Sequence, residues 1–414
     1  MRLVTTPTAP TPDEPRDALA RCVGDAVAFL DTQYTVEPHL RRAVGFTDLL
    51  SLGDADRAIT GGGLRTPAVR LVRAGQALDA STFARRVRTG STWVDGVVHP
   101  GRVVQHLSEG ATVVLQSLQR WWPPITEFCR ELEVALEQPV QANAYLTPPG
   151  ASGLAPHHDT HDVFVLQLHG SKRWSIRSPL VPSPLARHHS SPEAAGHQPM
   201  LFEVDLQEGD CLYLPRGFVH SAQAQTGTSL HLTVGVLATT VHDLLRDVVD
   251  RTADHVPFRR SLPVGYATQA AVAAQVVKDA VNELLQWLGE LDQAPVADEL
   301  QRRFWSNRPA PLAGQLVELA GLGSIEEATV VQRRAGVDAA VIGGGRVLRV
   351  RLSDRQLTLP VALEDAVRLL VDGAPHRLDE LQQWLDIPSC LVLVRRLVRE
   401  GVLRTLPAAP AADV

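Results

Sequence analysis

Between about residues 138 and 238, apolar side chains recur at every second position, and this pattern limits the fold more than any other feature. A period of two is typical of β-strands, because successive side chains point to opposite faces. In the segment SLHLTVGV, His231 and Thr233 share one face while Leu232 and Val234 share the other. Three further segments of this kind are DVFVLQL, RWSIRSP and CLYLPR. Short strands separated by turn residues predict a β-barrel or jelly roll.

Helical periodicity surrounds this strand-rich region. FTDLLSLGDADRAI predicts a helix that begins near Thr47, and residues 111–138 predict a helix interrupted at Pro123 and Pro124. After about residue 240, three segments are amphipathic: VHDLLRDVVDRTADHV, AVAAQVVKDAVNELLQWLGEL and VADELQRRFW. Their apolar faces pack either on the same chain or against a partner subunit. Beyond Asn307, a hairpin, three helical segments and the closing strand VLRTL resemble a winged helix.

Composition restricts the location and the partners of the chain. The formal net charge is −6, so no global basic excess favours nucleic acid or an anionic membrane as a partner. The four cysteines are scattered without CxxC pairs, which is typical of a reducing compartment. The polar start MRLVTTPTAPTPDEP lacks a signal peptide core, and no apolar run reaches the roughly 18 residues of a membrane span. We therefore expect a cytoplasmic protein.

The segment PHHDTHDVFVLQLHGSKRW contains candidate metal ligands. His157 and Asp159 are two residues apart just before an apolar strand, so they share one face. His220, in LPRGFVH, is the best candidate for a third ligand from another strand. Two histidines and one carboxylate form the facial triad of non-haem Fe(II) oxygenases, although hydrolytic zinc sites use the same ligand types. Spacing alone leaves His158 and His161 as competitors.

The hairpin that follows carries two cations, Lys172 and Arg173. A co-substrate with two carboxylates would need a cation at a distance from the metal. A buried cation is costly unless an anion pairs with it, so an inward cation would indicate an anionic ligand. An ordinary basic turn is the alternative interpretation of the same residues.

Three stretches together resemble the JmjC/cupin-like ribosomal oxygenases: NAYLTPPGASGLAPHHDTHDVFVLQLHGSKRW, EGDCLYLPRGFVHSA and SLHLTVGV. That family consists of Fe(II)- and 2-oxoglutarate-dependent protein hydroxylases. The resemblance implies an α+β chain with a double-stranded β-helix (a cupin/JmjC jelly roll), a helical dimerisation region and a C-terminal winged helix. The implied divisions are a loose tail at 1–16, a catalytic domain at 17–240, the dimerisation region at 241–307 and the winged helix at 308–414.

The resemblance also implies roles for individual residues. It places the metal ligands at His157, Asp159 and His220, and the cation for the distal 2-oxoglutarate carboxylate at Lys172. The motif NxYxTP places Asn143 beside the co-substrate and Tyr145 beside the substrate. Fe(II), 2-oxoglutarate and dioxygen would react to hydroxylate an amino acid side chain. The chain departs from the family at Gly235, where some members carry a serine that contacts the substrate, and at His161 and Asp162.

The family precedent is hydroxylation of an arginine or histidine β-carbon in a ribosomal protein. The departure at Gly235 leaves open an enzyme that tailors a peptide natural product or a free amino acid. We expect a homodimer through apolar helix residues: Leu244, Leu245, Val248, Leu284, Leu285 and Trp287.

A different class of function is a cupin ligand sensor with a DNA-binding winged helix. Residues 361–414 contain six arginines and eight acidic residues, a net charge of −2, whereas a DNA-binding module normally presents a basic face. Arg395, Arg396 and Arg399 cluster on one helix, so local binding stays open. We expect a protein-interaction or structural role for this domain.

Overall fold

The computed structural model describes residues 4–6, 17–188, 191–306, 312–334, 336–337, 339–342, 347–352 and 355–406. These residues divide into two compact units. The first takes its described residues from 4–238, 312–336 and 370–406, and the second from 239–306 and 337–369. Each unit is described separately below, and the predicted four-part division stays a prediction.

The strands of the chain alternate with short helices up to residue 140 and then follow one another closely. The strands are β1 (Val4–Thr6), β2 (His39–Arg41), β3 (Val69–Arg73), β4 (Gln76–Ala77), β5 (Ala84–Thr89), β6 (Thr92–Val98), β7 (Thr112–Leu115), β8 (Val140–Thr147), β9 (Asp162–His169), β10 (Lys172–Pro179), β11 (Met200–Leu206), β12 (Cys211–Leu214), β13 (Phe218–Ala224), β14 (Ser229–Val236), β15 (Val330–Arg333), β16 (Ala340–Ile342), β17 (Val347–Arg351), β18 (Gln356–Pro360), β19 (His376–Arg377) and β20 (Leu403–Leu406).

The α-helices are concentrated at the two ends of the chain. They are α1 (Ala18–Val23), α2 (Ala26–Thr32), α3 (Leu52–Thr60), α4 (Pro100–Ser108), α5 (Pro123–Leu136), α6 (Pro192–Gly196), α7 (Val241–Asp250), α8 (Ala270–Glu290), α9 (Ala294–Ser306), α10 (Gln315–Ala320), α11 (Glu364–Leu370) and α12 (Ile387–Arg399). None of the described helices is long and apolar enough to cross a membrane.

Two sheets form the β-rich part of the first unit. The larger has nine strands in the order β1-β2-β12-β9-β14-β8-β7-β3-β4, and the smaller has the order β11-β10-β13. Val163 and Val165 of β9 pack against Trp174 and Ile176 of β10, so the two sheets share an apolar layer. This is the face-to-face arrangement of the expected jelly roll.

Strand β9 is buried along nearly its whole length because both of its faces are covered. Val163 and Val165 point into the layer between the sheets, whereas Phe164, Leu166 and Leu168 point into a second core. That second core also contains residues of α1 and α5. Burial on both sides explains why the sequence DVFVLQL is almost continuously apolar.

Two local predictions were wrong. The first helix begins at Leu52 rather than near Thr47, because Ser51 and Asp54 form a capping box that fixes its start. Residues 112–115 are strand β7, and α5 begins at Pro123 instead of being interrupted there. Proline is tolerated in the first turn of a helix, where its missing N–H has no partner to lose.

The second unit contains α7, α8 and α9, followed by the sheet β16-β17-β18 and α11. Thr240 and Asp243 form the capping box of α7. Helix α8 has 21 residues, and none of them is buried. Of the residues expected at a dimer interface, Leu245 and Leu285 are exposed, Leu244, Leu284 and Trp287 are partly buried, and Val248 points inward.

Candidate active site

Three candidate metal ligands converge at one point of the jelly roll. His157, in the loop before β9, pairs with His220 of β13 through two backbone hydrogen bonds of 3.1 and 2.8 Å. The Asp159 carboxylate lies 3.9 Å from His157 Nε2 and 3.7 Å from His220 Nε2. One ligand atom from each residue lies within 4.8 Å of the others. A single ion can therefore contact all three side chains.

The hydrogen bonds of the two imidazoles suit metal binding. His157 Nδ1 lies 2.8 Å from the carbonyl of Ala155, and His220 Nδ1 lies 3.1 Å from the carbonyl of Phe218. An Nδ1–H that donates to a carbonyl leaves the lone pair on Nε2 free for a metal. In both rings Nε2 is the atom that faces Asp159, so the residues fit a metal ion.

Burial and neighbouring charges set His220 and Asp159 in the protonation states that a metal requires. Burial, together with the neighbouring His157, lowers the pKa of His220 to about 4. Burial alone would raise the pKa of Asp159, but the attraction of His220 and the other nearby histidines outweighs it and lowers that pKa. Neutral imidazoles and an ionised carboxylate are the metal-binding forms.

The competing histidines have other partners. His158 is buried, and its Nε2 lies 3.1 Å from the carbonyl of His188. His169 is partly buried, with Nδ1 3.3 Å from the carboxylate of Glu208. The ring of His161 reaches the site but lies against Gly235, where a Cβ atom would come within 2.5 Å of His161 Cδ2. Gly235 thus leaves room for the His161 ring.

Lys172 lies in the same cavity as the three ligands and is only 2% exposed. Its Nζ donates a 3.1 Å hydrogen bond to the Thr147 hydroxyl, which also accepts one from Thr112 at 3.2 Å. Burial lowers the pKa of Lys172 to about 7. Within the described residues, the structure gives this ammonium no carboxylate partner. Its neighbour Arg173 points outward and pairs with Asp205 at 2.7 Å.

Aromatic rings and an amide form another wall of the cavity. Tyr145 stacks on His231 with ring centroids 4.9 Å apart, and Trp174 meets the same imidazole edge-on at 5.5 Å. Burial raises the pKa of Tyr145 to about 12, and burial together with Lys172 lowers the pKa of His231 well below its usual value. The Asn143 side chain accepts a 3.0 Å hydrogen bond from the backbone of Ser117.

Sequence reasoning missed the two threonines beside Lys172. Thr112 lay inside a segment that was predicted to be helical, which concealed its place on β7. Thr147 follows Asn143 and Tyr145 at a spacing of two on β8, so strand alternation could have placed it on their face. The cavity, of about 110 Å³, has the candidate metal ligands and Lys172 in its lining.

Comparison with known proteins agrees with this fold. Residues 119–244 match the sequence model of the JmjC domain. The bifunctional lysine-specific demethylase and histidyl-hydroxylase NO66 of Dictyostelium discoideum is 32% identical over 257 residues, 57% of this chain and 49% of the relative. Ribosomal oxygenase 1 of Rattus norvegicus is 35% identical over 202 residues, 46% of this chain and 34% of the relative. The chain thus spans half or less of the length of these relatives.

Among solved structures, the chain resembles ycfD of E. coli, with a TM-score of 0.53, 18% identity and coverage of 92% of this chain and 98% of that one. A complex of the same ribosomal oxygenase with cobalt and 2-oxoglutarate matches with a TM-score of 0.50 and 18% identity. The fold and the JmjC match define a JmjC/cupin protein. Within that class, the relatives to which the chain is similar are NO66 and ribosomal oxygenases, which supports the resemblance drawn from its motifs.

Proposed function

We propose that this protein is an Fe(II)- and 2-oxoglutarate-dependent dioxygenase that hydroxylates an amino acid side chain in a ribosomal protein or another polypeptide. One observation carries the proposal: the His157–Asp159–His220 cluster and the buried ammonium of Lys172 line a single cavity. A facial triad leaves coordination positions open for a bidentate ligand and dioxygen. A buried cation requires an anion, which the distal carboxylate of 2-oxoglutarate would supply.

In this proposal His157, Asp159 and His220 hold the iron, which when bound supplies the activation of dioxygen. Lys172 pairs with the distal carboxylate of 2-oxoglutarate. The hydroxyl of Thr147 positions the ammonium, since it accepts a hydrogen bond from Nζ. The hydrogen bond between the Lys172 ammonium and that carboxylate would be charge-assisted. Such a bond is stronger than a neutral one and would fix the orientation of the co-substrate.

The remaining wall residues shape the cavity and keep water out of it. Asn143 contacts the co-substrate and Tyr145 contacts the substrate. His231 is buried, Tyr145 is partly buried, and both rings are uncharged, so the stacked pair offers an apolar surface and a neutral hydroxyl. Trp174 closes the wall beside His231. Walls of this kind limit the access of water to the site, which protects reactive chemistry from competing reactions.

The proposal is tested by succinate release from 2-oxoglutarate with Fe(II) and dioxygen. We expect turnover by the wild type and none by His157→Ala or Asp159→Ala, because each removes one metal ligand. His158→Ala is the matched control, since its ring bonds to His188 rather than facing Asp159. A wild type that neither binds nor turns over 2-oxoglutarate would refute the proposal.

A ribosomal protein is the leading substrate because curated relatives of this chain are ribosomal oxygenases and histidyl-hydroxylases. The His161 ring beside Gly235 gives this cavity a wall that a serine at 235 would not give. This difference favours a substrate side chain unlike that of the serine-containing members, and it keeps a biosynthetic peptide or a free amino acid as the second candidate. Mass spectrometry for one added oxygen, in cells with and without the gene, separates the two.

We also propose that the helices at 241–306 form a homodimer interface. Val277, Val281 and Leu285 of α8 follow one another at intervals of four residues, and they are 62%, 49% and 62% exposed. Side chains at this spacing lie on one face of a helix. A contiguous exposed apolar patch marks a protein–protein interaction site. The resemblance to the ribosomal oxygenases implies a dimerisation region here, so the proposed partner is a second copy of the chain.

For residues 308–414 we propose a winged helix with a structural or protein-binding role. Two of the three clustered arginines of α12 have internal partners, since Arg395 donates to the carbonyl of Ile325 and Arg396 pairs with Glu400. The net charge of −2 over 361–414 does not favour DNA either. A DNA mobility shift at low micromolar protein that disappears at high salt would favour the ligand-sensing regulator instead.

We place the protein in the cytoplasm.

A further inference from the structure

The three candidate metal ligands lie on two stretches of the chain that are far apart in sequence. His157 and Asp159 belong to the loop before β9, and His220 belongs to β13. We call residues 157–162 and 216–220 the ligand segments. Ligand atoms must be held close to their bound positions if a metal is to bind tightly, so the bonds between these segments affect the metal site directly.

Three backbone hydrogen bonds join the ligand segments. His157 and His220 exchange two of them, at 3.1 and 2.8 Å. The third runs from the Gly217 N–H to the Asp159 carbonyl at 3.0 Å. All three bonds use main-chain atoms, so a change of side chain, proline excepted, removes neither a donor nor an acceptor from them.

A fourth hydrogen bond between the ligand segments depends on a side chain. Oδ1 of Asp162 accepts it from the Arg216 N–H at 2.8 Å. Asp162 is the first residue of β9, and Arg216 lies in the turn that leads into β13. This bond connects the end of one ligand segment to the start of the other, and a substitution at 162 can remove it.

Burial of the Asp162 carboxylate is costly for the fold. The residue is 0% exposed, and its Oδ2 has no hydrogen-bond partner in the part of the chain that the structure describes. A buried oxygen without a partner costs free energy, and an apolar side chain at 162 would avoid that cost. The contribution of the carboxylate therefore lies in its hydrogen bond to Arg216.

We propose that Asp162 is a positioning residue that holds Asp159 and His220 at the separation a metal ion requires. The inference rests on the proposed function, because it takes His157, Asp159 and His220 as metal ligands. Asp159 lies three residues before Asp162, and His220 lies four residues after Arg216. The bond between 162 and 216 therefore limits the movement of one ligand relative to the other.

Two other roles for Asp162 predict different results. A negative charge near the site would attract a divalent cation whatever hydrogen bonds it accepts. A buried group that only supports the fold would change metal affinity to the extent that it changes stability. Asp162→Asn tests the first alternative, because asparagine keeps an acceptor oxygen and removes the charge. A second buried aspartate, Asp210, tests the other.

Calorimetric titration of the metal-free full chain with Co(II) tests the proposal without any measurement of activity. Asp162→Ala should lower the Co(II) affinity by about 10- to 100-fold, which is the usual effect of losing a group that supports metal ligands. Asp162→Asn should retain most of the wild-type affinity. The visible absorption of bound Co(II), which reports ligand geometry, should change in the alanine variant and not in the asparagine variant.

Asp210 supplies the matched control because it is also a buried aspartate that accepts backbone N–H groups. It is 2% exposed, and its carboxylate accepts from Ala43 at 3.1 Å and from Gln207 at 2.8 Å. Its carbonyl accepts from the N–H of Gln167, five residues beyond Asp162 on β9. That spacing is about 16 Å at ~3.3 Å per residue, so Asp210→Ala should lower the unfolding temperature and leave Co(II) affinity unchanged.

Thermal unfolding is recorded for every variant, and Asp162→Leu, which also lacks an acceptor, replaces the alanine variant if that variant does not fold. Wild-type Co(II) affinity in Asp162→Ala would overturn the positioning role. Equal losses in Asp162→Ala and Asp162→Asn would overturn it in favour of the charge. An equal loss in Asp210→Ala would overturn it in favour of general stability. A wild type that binds no Co(II) would refute the proposed metal site itself, and this inference with it.

Discussion

Lys172 is a buried cation whose pKa would depend on whether a ligand carboxylate is bound beside it. Its side chain is buried between the sheets, where only a threonine hydroxyl is within hydrogen-bond distance among the described residues. An ammonium in such a place is destabilised, which is why its pKa falls to about 7. A bound carboxylate would reverse this effect, so Lys172 links co-substrate affinity to proton binding.

We predict that Lys172→Met weakens 2-oxoglutarate binding by about 10- to 150-fold, which corresponds to the ~1.5–3 kcal/mol of a hydrogen bond to a charged group. Methionine keeps most of the volume and removes the charge. Metal content should stay at the wild-type level, because His157, Asp159 and His220 are unchanged. Arg173→Met is the control, since Arg173 points outward to Asp205. Anaerobic titration of both variants with 2-oxoglutarate, with Fe(II) present, measures the two affinities. Equal affinities would reject the role of Lys172.

The pH dependence of that affinity has a definite sign. With no 2-oxoglutarate bound, the pKa of Lys172 is about 7, and pairing with the distal carboxylate raises it. The ammonium form binds the anion, so affinity is highest below pH 7 and falls as pH rises above it, by up to about tenfold per unit. Lys172→Met should abolish this decrease. An affinity that is independent of pH between 7 and 9 in the wild type would contradict the assignment.

Gly235 and His161 form a pair that double substitution can test. A Cβ atom at 235 would lie 2.5 Å from His161 Cδ2, so Gly235→Ala must displace the ring. We predict that Gly235→Ala lowers the free energy of unfolding by about 1–3 kcal/mol in the wild type. In a His161→Ala background the same substitution should cost little, which gives a coupling energy of similar size. Urea denaturation of the four proteins measures it, and additive effects would show that the two residues do not meet.

The sequence alone predicted some of these residues and contacts but not others. Strand alternation grouped His157 with Asp159 but left His158 and His161 open, and the family resemblance made the choice. The position of His220 opposite His157 depends on strand pairing across 63 residues, which no local pattern encodes. The contact between His161 and Gly235 also brings together distant parts of the chain.

At the scale of elements, periodicity succeeded where one face of a segment is buried. The alternation of SLHLTVGV became β14, with His231 in the cavity wall. It failed at residues 112–138, where the β-branched run of β7 and the prolines that begin α5 were taken together as one interrupted helix.

The exposed stripe of α8 gives a prediction at this scale. We predict that Val277→Glu with Leu285→Glu converts the proposed dimer to a monomer, since two charges would have to be buried at the interface. Asn282→Glu places one charge on the same helix at an exposed polar position and should leave the dimer intact. Light scattering at micromolar concentration measures the mass. A wild type that is monomeric there would refute the dimer.

For the whole molecule, average properties conceal local ones. A net charge of −6 describes the chain as a whole, yet residues 65–102 carry +5. Composition likewise does not show that the fold concentrates three candidate metal ligands and one buried lysine in a cavity of about 110 Å³. Function depends on these local concentrations, which arise when the strands close into the jelly roll.

The central claim is that this cavity transfers oxygen from dioxygen to a polypeptide side chain. The most direct measurement incubates ribosomal proteins with the protein, Fe(II) and 2-oxoglutarate under isotopically heavy dioxygen, followed by mass spectrometry. We predict that one heavy oxygen atom enters a single side chain, that succinate forms in equal amount, and that Asp159→Ala abolishes both. Succinate formation without heavy oxygen in any ribosomal protein would contradict the ribosomal substrate, and the absence of both products would contradict the oxygenase itself.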